Sequence, residues 1–202
     1  MRTTETKELI LQIARDEFMK KGFQNASMRT IAGKVGITAT ALYRHYASKE
    51  DIFDALVEPA ISGWETMFKT ETKRQVGTAR ENGIEAMWHD TEQARLIVDM
   101  IYRDFDTQKL LFCKSKGTKY EDYLHVIVTQ VQIATLEFMK ELEQKGVRIN
   151  HVDEKEMHLI LSAQYSAMLD MIVHDYSYDE AYHYVDTLAS FFKEGWRKFL
   201  GF

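Results

Sequence analysis

The stretch that decides the fold is residues 27–50, which read SMRTIAGKVGITATALYRHYASKE. A small residue, Ala32, precedes Gly36 by four positions, and Leu42 follows that glycine by six. Two short helices that cross closely need a small residue at the crossing and a glycine in the tight turn between them. With Ile31 and Val35 as shared core, this spacing predicts a helix-turn-helix.

The second of these two helices, which is the third helix of the chain, presents short side chains. Exposed threonines and alanines let a helix approach base edges closely, and their methyl groups suit thymine. Residues 38–41 are therefore predicted to contact bases, while larger polar side chains on either side contact phosphates, which position the protein without specifying sequence. The predicted DNA-binding residues are Arg29, Thr30, Thr38, Ala39, Thr40, Ala41, Tyr43, Arg44, His45 and Lys49.

Outward from this stretch the pattern is helical throughout. An apolar period from Thr6 to Gly22 predicts a first helix. Ser48 and Asp51 predict a capped fourth helix with a buried face of Ile52, Phe53, Leu56 and Val57. More helices are predicted after it, and the last two span residues 153–175 and 178–200. The chain is therefore predicted to be all-α, with about nine helices.

Two domains are predicted: residues 1–47 as a three-helix DNA-binding domain, and residues 48–202 as a larger helical domain. Polar residues 69–82 are predicted to form a frayed helix end and a connection, and an apolar stretch follows from Trp88 to Phe105. Pro59, the only proline, predicts a kink or break in the fourth helix. It acts either as a hinge or as a plain structural bend.

The N-terminal motif resembles that of the TetR (tetracycline-repressor) family. The matching residues are Ile10, Ala14, Phe18, Gly22-Phe23, Thr30-Ile31-Ala32, Val35-Gly36-Ile37, Leu42-Tyr43-Arg44-His45-Tyr46 and Ser48-Lys49-Glu50. The resemblance covers about a quarter of the chain. It implies a homodimeric repressor released from a palindromic operator by a small molecule, with residues 48–202 as the effector-binding and dimerisation domain. Residues 38–41 depart from many relatives, which carry glycine, lysine or arginine there, so the operator sequence stays open.

Charge and composition agree with this function. Residues 1–50 contain nine Lys or Arg against five Asp or Glu, although the whole chain has a net charge of -5. A basic end on an acidic body suits a chain that meets a polyanion at one end. One cysteine, no basic-then-apolar leader and no long apolar run predict a cytoplasmic protein without a membrane segment.

The last two predicted helices carry much apolar surface. Phe191, Phe192, Trp196 and Phe199 crowd one helix near the C-terminus. They either complete a monomeric core or form a four-helix seam between two copies, which is how the resembled family dimerises. The homodimer through these two helices is predicted.

No enzyme, cofactor or metal site is predicted. The chain lacks a glycine-rich phosphate loop and a nucleophile elbow. His151, Asp153, Glu154 and His158 lie in one segment, but no third ligand has a fixed spacing. Cys113 is interpreted as core rather than as a redox sensor. Two other functions stay open: a helical ligand carrier or interaction protein, and, ranked below it, a hydrolase. The aromatic residues do not identify an effector pocket.

Overall fold

Helices account for every regular element in the structure, a computed structural model that describes residues 3–82 and 92–201. Nine helices lie in these ranges, which confirms the all-α class and agrees with the expected number. They are α1 (Thr3–Asn25), α2 (Met28–Val35), α3 (Ala39–His45), α4 (Lys49–Asn82), α5 (Glu92–Arg103), α6 (Phe105–Cys113), α7 (Tyr123–Gln144), α8 (Glu154–Val173) and α9 (Tyr178–Leu200).

The helix ends near the N-terminus follow the predicted capping residues. Ser27 Oγ accepts a hydrogen bond from the Thr30 amide, and Thr38 Oγ1 accepts one from the Ala41 amide. Ser48 and Asp51 cap α4 reciprocally, each side chain accepting from the other residue's amide. These bonds satisfy amides that a first helical turn leaves without partners. The predicted starts of α2, α3 and α4 are therefore confirmed.

Contacts group the described residues into two compact units. The first unit takes in Met1–Gly63 and Asp104–Tyr123, and the second takes in Trp64–Arg103 and Leu124–Phe202. The core of the first unit includes the fully buried Ile10, Phe18, Ile31, Leu42, Ile52 and Phe53. The core of the second includes the fully buried Trp64, Val98, Ile101, Met157, Met171 and Val185. The predicted division at residues 47 and 48 separates two functions and stays a prediction.

Helix α4 corrects two expectations. It runs from Lys49 to Asn82 through Pro59, so a break at the proline does not occur, and the alternative of a kink there stays a prediction. One missing amide hydrogen bond is offset by apolar burial on both sides, at Val57 and Ala60. The polar residues expected to be frayed are helical as well, and Arg74 pairs with Glu71 one turn away.

The middle of the chain also differs from expectation. The predicted apolar stretch from Trp88 to Phe105 lies partly outside the described residues, and Asp104 divides the rest. The Asp104 carboxylate accepts from the Thr107 amide and starts α6. Helix α7 begins at Tyr123, because residues 118–122 form turns. Residues 114–118 interrupt the helices between α6 and α7, and both predicted C-terminal helices are confirmed.

Within the described ranges, none of the helices combines the length and apolar character that crossing a lipid bilayer requires.

Candidate nucleic-acid interface

The turn between α2 and α3 is fixed by one glycine. Gly36 has φ 81° and ψ 26°, the left-handed conformation that glycine adopts at little cost. The Gly36 amide donates to Gly33 O at 3.2 Å, and the Ile37 amide donates to Ala32 O at 3.0 Å. These two bonds close the end of α2 and set the direction in which α3 departs.

Helix α3 has one fully buried side chain. Leu42 is fully buried, and it is the only buried residue of α3. Ile31 and Ala32 of α2 are also buried in the core of the first unit. Thr40, Tyr43 and Arg44 of α3 are exposed and available to a partner.

Most of the predicted DNA-binding residues keep accessible surface. Arg29, Thr38, Thr40, Tyr43 and Arg44 are exposed. Thr30, Ala39, Ala41, His45 and Lys49 are half-buried. The oxygen of Thr38 caps α3 with one lone pair, so its proton and its second lone pair remain for a ligand. The structure thus places an uncharged strip, residues 38–41, beside a polar group at 43–45.

Lys49 has protein partners that the sequence did not suggest. Its ammonium donates to the carbonyl oxygens of Phe23, Gln24 and Ala26 at 2.8, 3.2 and 3.2 Å. The same nitrogen lies 4.4 Å from the centre of the Phe23 ring. All three ammonium protons have acceptors at the end of α1, so the predicted phosphate contact, which stays a prediction, would compete with them.

The signal for this arrangement was the glycine before Phe23. Gly22 has φ 71° and ψ 166°, so the chain leaves the helical conformation there and α1 bends at its end. Carbonyl groups at such an end lack amide partners and attract cations. The Gly22-Phe23 pair therefore indicates carbonyl acceptors at the end of α1, although it does not indicate which lysine contacts them.

A buried carboxylate ties α1 to α2. Glu17 has a 1% exposed side chain, with Lys21 Nζ at 2.6 Å and Lys34 Nζ at 2.8 Å from its oxygens. Hydrogen bonds from these two lysines lower the Glu17 pKa below its ordinary 4.5, against the opposing effect of burial. Sequence reasoning missed this group, because Glu17 stands beside Phe18 in the sequence as an ordinary helical acid.

Side chains of the acidic and histidine-rich segment, residues 151–158, form hydrogen bonds within the protein. The Asp153 carboxylate caps α8 by accepting from the amides of Lys155 and Glu156. A ring nitrogen of His158 lies 2.8 Å from Gln132 Oε1. Across residues 3–82 and 92–201, no three His, Cys, Asp or Glu side chains gather as a metal site would require.

A cavity of about 290 Å³ lies within the second unit. Helices α4, α5, α7, α8 and α9 contribute its walls, and aromatic rings form much of them. The aromatic lining residues are Phe68, Phe138, Tyr165, Phe192 and Trp196. The sequence contained these rings without showing that they surround a common space.

Comparisons with known proteins agree with the helix-turn-helix. Residues 10–56 match the family model for bacterial regulatory proteins of the tetR family. The chain is 28% identical over 104 residues to the HTH-type transcriptional activator FasR of Mycolicibacterium smegmatis, covering 48% of each protein. It is 38% identical over 52 residues to the HTH-type transcriptional regulator UidR of Escherichia coli, covering 26% of each.

The fold is similar over a longer range. The structure of NalD, the secondary repressor of the MexAB-OprM multidrug efflux pump in Pseudomonas aeruginosa, superposes with a TM-score of 0.57 over 98% of both chains. Sequence identity in that pair is 16%, so the likeness concerns the fold. The matches span about half or less of the length of the curated relatives FasR and UidR.

Proposed function

We propose that the chain is a member of the TetR family of bacterial regulatory proteins, whose family model matches residues 10–56, and that it regulates transcription by binding a palindromic DNA operator. Helix α3 enters the major groove, which is wide enough for one helix. Residues 38–41 contact base edges there. Because chromosomal DNA is the target, the protein acts in the cytoplasm.

The observation that carries this proposal is that Leu42 is the one fully buried side chain of α3. A helix with one fully buried side chain leaves its exposed side chains for the groove. Thr38, Ala39 and Thr40 are short enough to bring the α3 backbone close to the bases. Contact through hydroxyl and methyl groups gives sequence preference without adding charge.

Residues around α3 position the protein on the phosphates. Arg29 near the start of α2, with Tyr43 and Arg44, is exposed, and His45 is half-buried. Cations that neutralise phosphates release counterions, so binding through them weakens steeply as salt rises. Thr30, next to Arg29, belongs to the same phosphate-facing group.

The protein works as a homodimer through α8 and α9. Leu159 of α8 is 68% exposed and Phe191 of α9 is 75% exposed. A contiguous exposed apolar patch is typical of an interaction surface, and we infer that these two side chains belong to one. A two-fold dimer presents two copies of α3 to the half-sites of a palindrome, which multiplies a weak single contact.

The DNA is released when a small molecule enters the cavity of the second unit. A ligand that binds better to one spacing of the two DNA-binding units shifts the dimer towards that spacing. We propose that this spacing does not fit the operator, so the protein is a repressor. NalD, whose fold is similar, is named a repressor, whereas FasR is named an activator.

The DNA-binding proposal is tested by titrating the protein against duplex from its own upstream region at several salt concentrations. Arg44→Ala should weaken binding and reduce the salt slope by about one. Arg148→Ala removes the same charge from an exposed position in the second unit and should leave binding unchanged. Binding absent from the folded wild-type dimer would favour a ligand carrier instead.

The repressor proposal is tested with a reporter gene behind the same upstream region. Transcription should be lower when the protein is present than when its gene is deleted. The Arg44→Ala variant should relieve part of that difference because its operator affinity is reduced. Transcription that rises with the protein would show an activator.

A further inference from the structure

The cavity of the second unit contains hydrogen-bond donors that have no acceptor. Tyr165 is 4% exposed and lines the cavity, yet its hydroxyl has no hydrogen bond to any residue in 3–82 or 92–201. Burial raises the Tyr165 pKa, and the nearby charge of Glu71 raises it further. The hydroxyl therefore keeps its proton and remains a donor.

Gln164 offers a second donor beside the first. Its Oε1 accepts from Trp196 Nε1 at 2.6 Å, which fixes the orientation of the side-chain amide. With the oxygen engaged, the amide nitrogen is the group left for a ligand, and it has no acceptor in the described part of the chain. Gln164 and Tyr165 are consecutive on α8, and both line the cavity.

Lys193 brings a positive charge to the same wall. It lines the cavity, is half-buried, and forms no ion pair with any described residue. Lys193 stands three positions before Trp196 on α9, and side chains at this spacing lie on the same helix face. The Trp196 bond to Gln164 therefore brings the Lys193 face of α9 against the donors of α8.

The one carboxylate in the lining is already neutralised. Glu71 is 3% exposed, and both of its oxygens accept hydrogen bonds from Arg74. Gln75 Nε2 also lies 3.2 Å from Glu71 Oε1 and donates to Gln93 as well. Glu71 therefore has little capacity for a ligand, and the uncompensated charge of the lining is the positive charge of Lys193.

From these groups we propose that the cavity binds a small aromatic carboxylate. The carboxylate accepts hydrogen bonds from Tyr165 and Gln164, and Lys193 compensates its charge. The ring system packs among Phe138, Phe192 and Trp196, where apolar surface and aromatic faces favour it. This inference rests on the proposed ligand-responsive function and names the chemical class of the effector.

The size of the cavity limits the ligand. Liquid water occupies about 30 Å³ per molecule, so about 290 Å³ accommodates roughly ten water-sized groups. A two-ring aromatic acid is of this order. We therefore choose 2-naphthoate as the probe, with 2-naphthamide as its neutral counterpart and 2-naphthylmethylammonium as its cationic counterpart.

The three probes are compared by isothermal titration calorimetry on the full chain without DNA. We expect 2-naphthoate to bind about tenfold more tightly than 2-naphthamide, since hydrogen bonds to a charged group exceed those to a neutral one. The ammonium compound should bind most weakly. Equal affinity for acid and amide, preference for the cation, or no binding of the acid would each overturn the proposal.

Two variants separate the contributions. Lys193→Met should lower 2-naphthoate affinity about tenfold and leave 2-naphthamide affinity nearly unchanged. Tyr165→Phe keeps the ring and should weaken both ligands. Lys198→Met, exposed on the same helix, and Tyr184→Phe, whose hydroxyl bonds to Ala167 O, are the matched controls. A Lys193→Met variant that loses both ligands equally would exclude the carboxylate role.

Failure of this inference is distinguishable from failure of the proposed function. Calorimetry measures the ligand without DNA, whereas operator titration measures DNA without ligand. If 2-naphthoate does not bind but the operator does, the ligand class is wrong and the regulator stands. If 2-naphthoate binds and no duplex does, the ligand class stands and the regulator is wrong.

Discussion

Lys49 distributes one positive charge over three backbone carbonyl oxygens at the end of α1. Those carbonyls belong to residues 23, 24 and 26, immediately after the bend at Gly22. Carbonyl groups at a helix end have few amide partners, and Phe23 O accepts from the Ala26 amide at 3.3 Å as well as from Lys49. Because Lys49 is the first residue of α4, the contact also joins α1 to the start of α4.

Lys49→Met should therefore lower the free energy of unfolding by about 1 to 3 kcal/mol, the range for hydrogen bonds to a charged group. Urea denaturation followed by circular dichroism measures this. Lys20→Met, an exposed lysine of α1, is the control and should change little. Unchanged stability together with lost DNA affinity would instead favour the predicted phosphate contact.

Glu17 shows how a single carboxylate can make a helix pair sensitive to acid. Its pKa is lowered by the hydrogen bonds from Lys21 and Lys34, so the folded state binds the proton less readily than the unfolded chain. A group with a lowered folded pKa stabilises the protein above its unfolded pKa. This stabilisation is lost as the pH falls through the folded value.

Glu17→Gln should accordingly destabilise the protein by about 1 to 2 kcal/mol near neutral pH. The difference from wild type should shrink as the pH is lowered below the ordinary pKa value of 4.5, in denaturation curves recorded at a series of acidic pH values. Glu8→Gln, an exposed acid of the same helix, should show no such trend. A difference that is constant with pH would contradict the ion-pair explanation.

At the scale of the element, two glycines of the helix-turn-helix have opposite roles. Gly36 has a left-handed conformation, whereas Gly33 lies within α2 with helical geometry. Neither position has an atom within 4 Å of where a Cβ would stand. Any effect of adding a methyl group therefore comes from the backbone and not from a clash.

Gly36→Ala should destabilise the protein by about 1 to 2 kcal/mol, the cost of a left-handed alanine. Gly33→Ala should stabilise it by about 0.5 to 1 kcal/mol, because alanine favours the helix and restricts the unfolded chain. Thermal unfolding of both variants measures whether each substitution lowers or raises the stability. Two shifts in the same direction would refute the assignment of the turn.

Local patterns predicted the helix ends well and the interruptions poorly. Ser27, Thr38 and Ser48 cap their helices through bonds that depend only on residues within the next turn. The continuity of α4 through Pro59 depends on apolar burial around it, which no local pattern contains. The break at Asp104 carries a capping pattern with Thr107 that the apolar period around it concealed.

The candidate site also combines features that a local pattern predicts with features that depend on how the helices pack. The exposure of Thr40, Tyr43 and Arg44 follows from the helical period once Leu42 is assigned to the core. The partners of Lys49 lie in residues 23–26, and contacts at that separation depend on how the helices pack. The cavity lining combines residues from five helices, so its shape could not be predicted from any one of them.

At the scale of the whole molecule, the proposed dimer depends on two exposed apolar side chains. Phe191 and Leu159 belong to different helices of the second unit, and both exceed half exposure. Burying them between two copies would remove apolar surface from water at roughly 25 cal/mol per Å². The same association would pair the two DNA-binding units.

Phe191→Glu should therefore convert the dimer to a monomer of 23.6 kDa in sedimentation equilibrium. Operator affinity should fall with it, because a monomer binds only one half-site. Leu96→Glu, which places the same charge at a 41% exposed position on α5, should remain dimeric. A Phe191→Glu variant that stays dimeric would move the interface away from α9.

The presence of only one fully buried side chain in α3 has a consequence for how this protein could acquire new DNA targets. Ala39 and Thr40 contribute no buried side chain and no cap, since Leu42 and Thr38 perform those tasks. Replacements at 39 and 40 can therefore alter recognition at little cost in stability. Evolution, or a library randomised at these two positions, can explore operator sequences with nearly every member still folded.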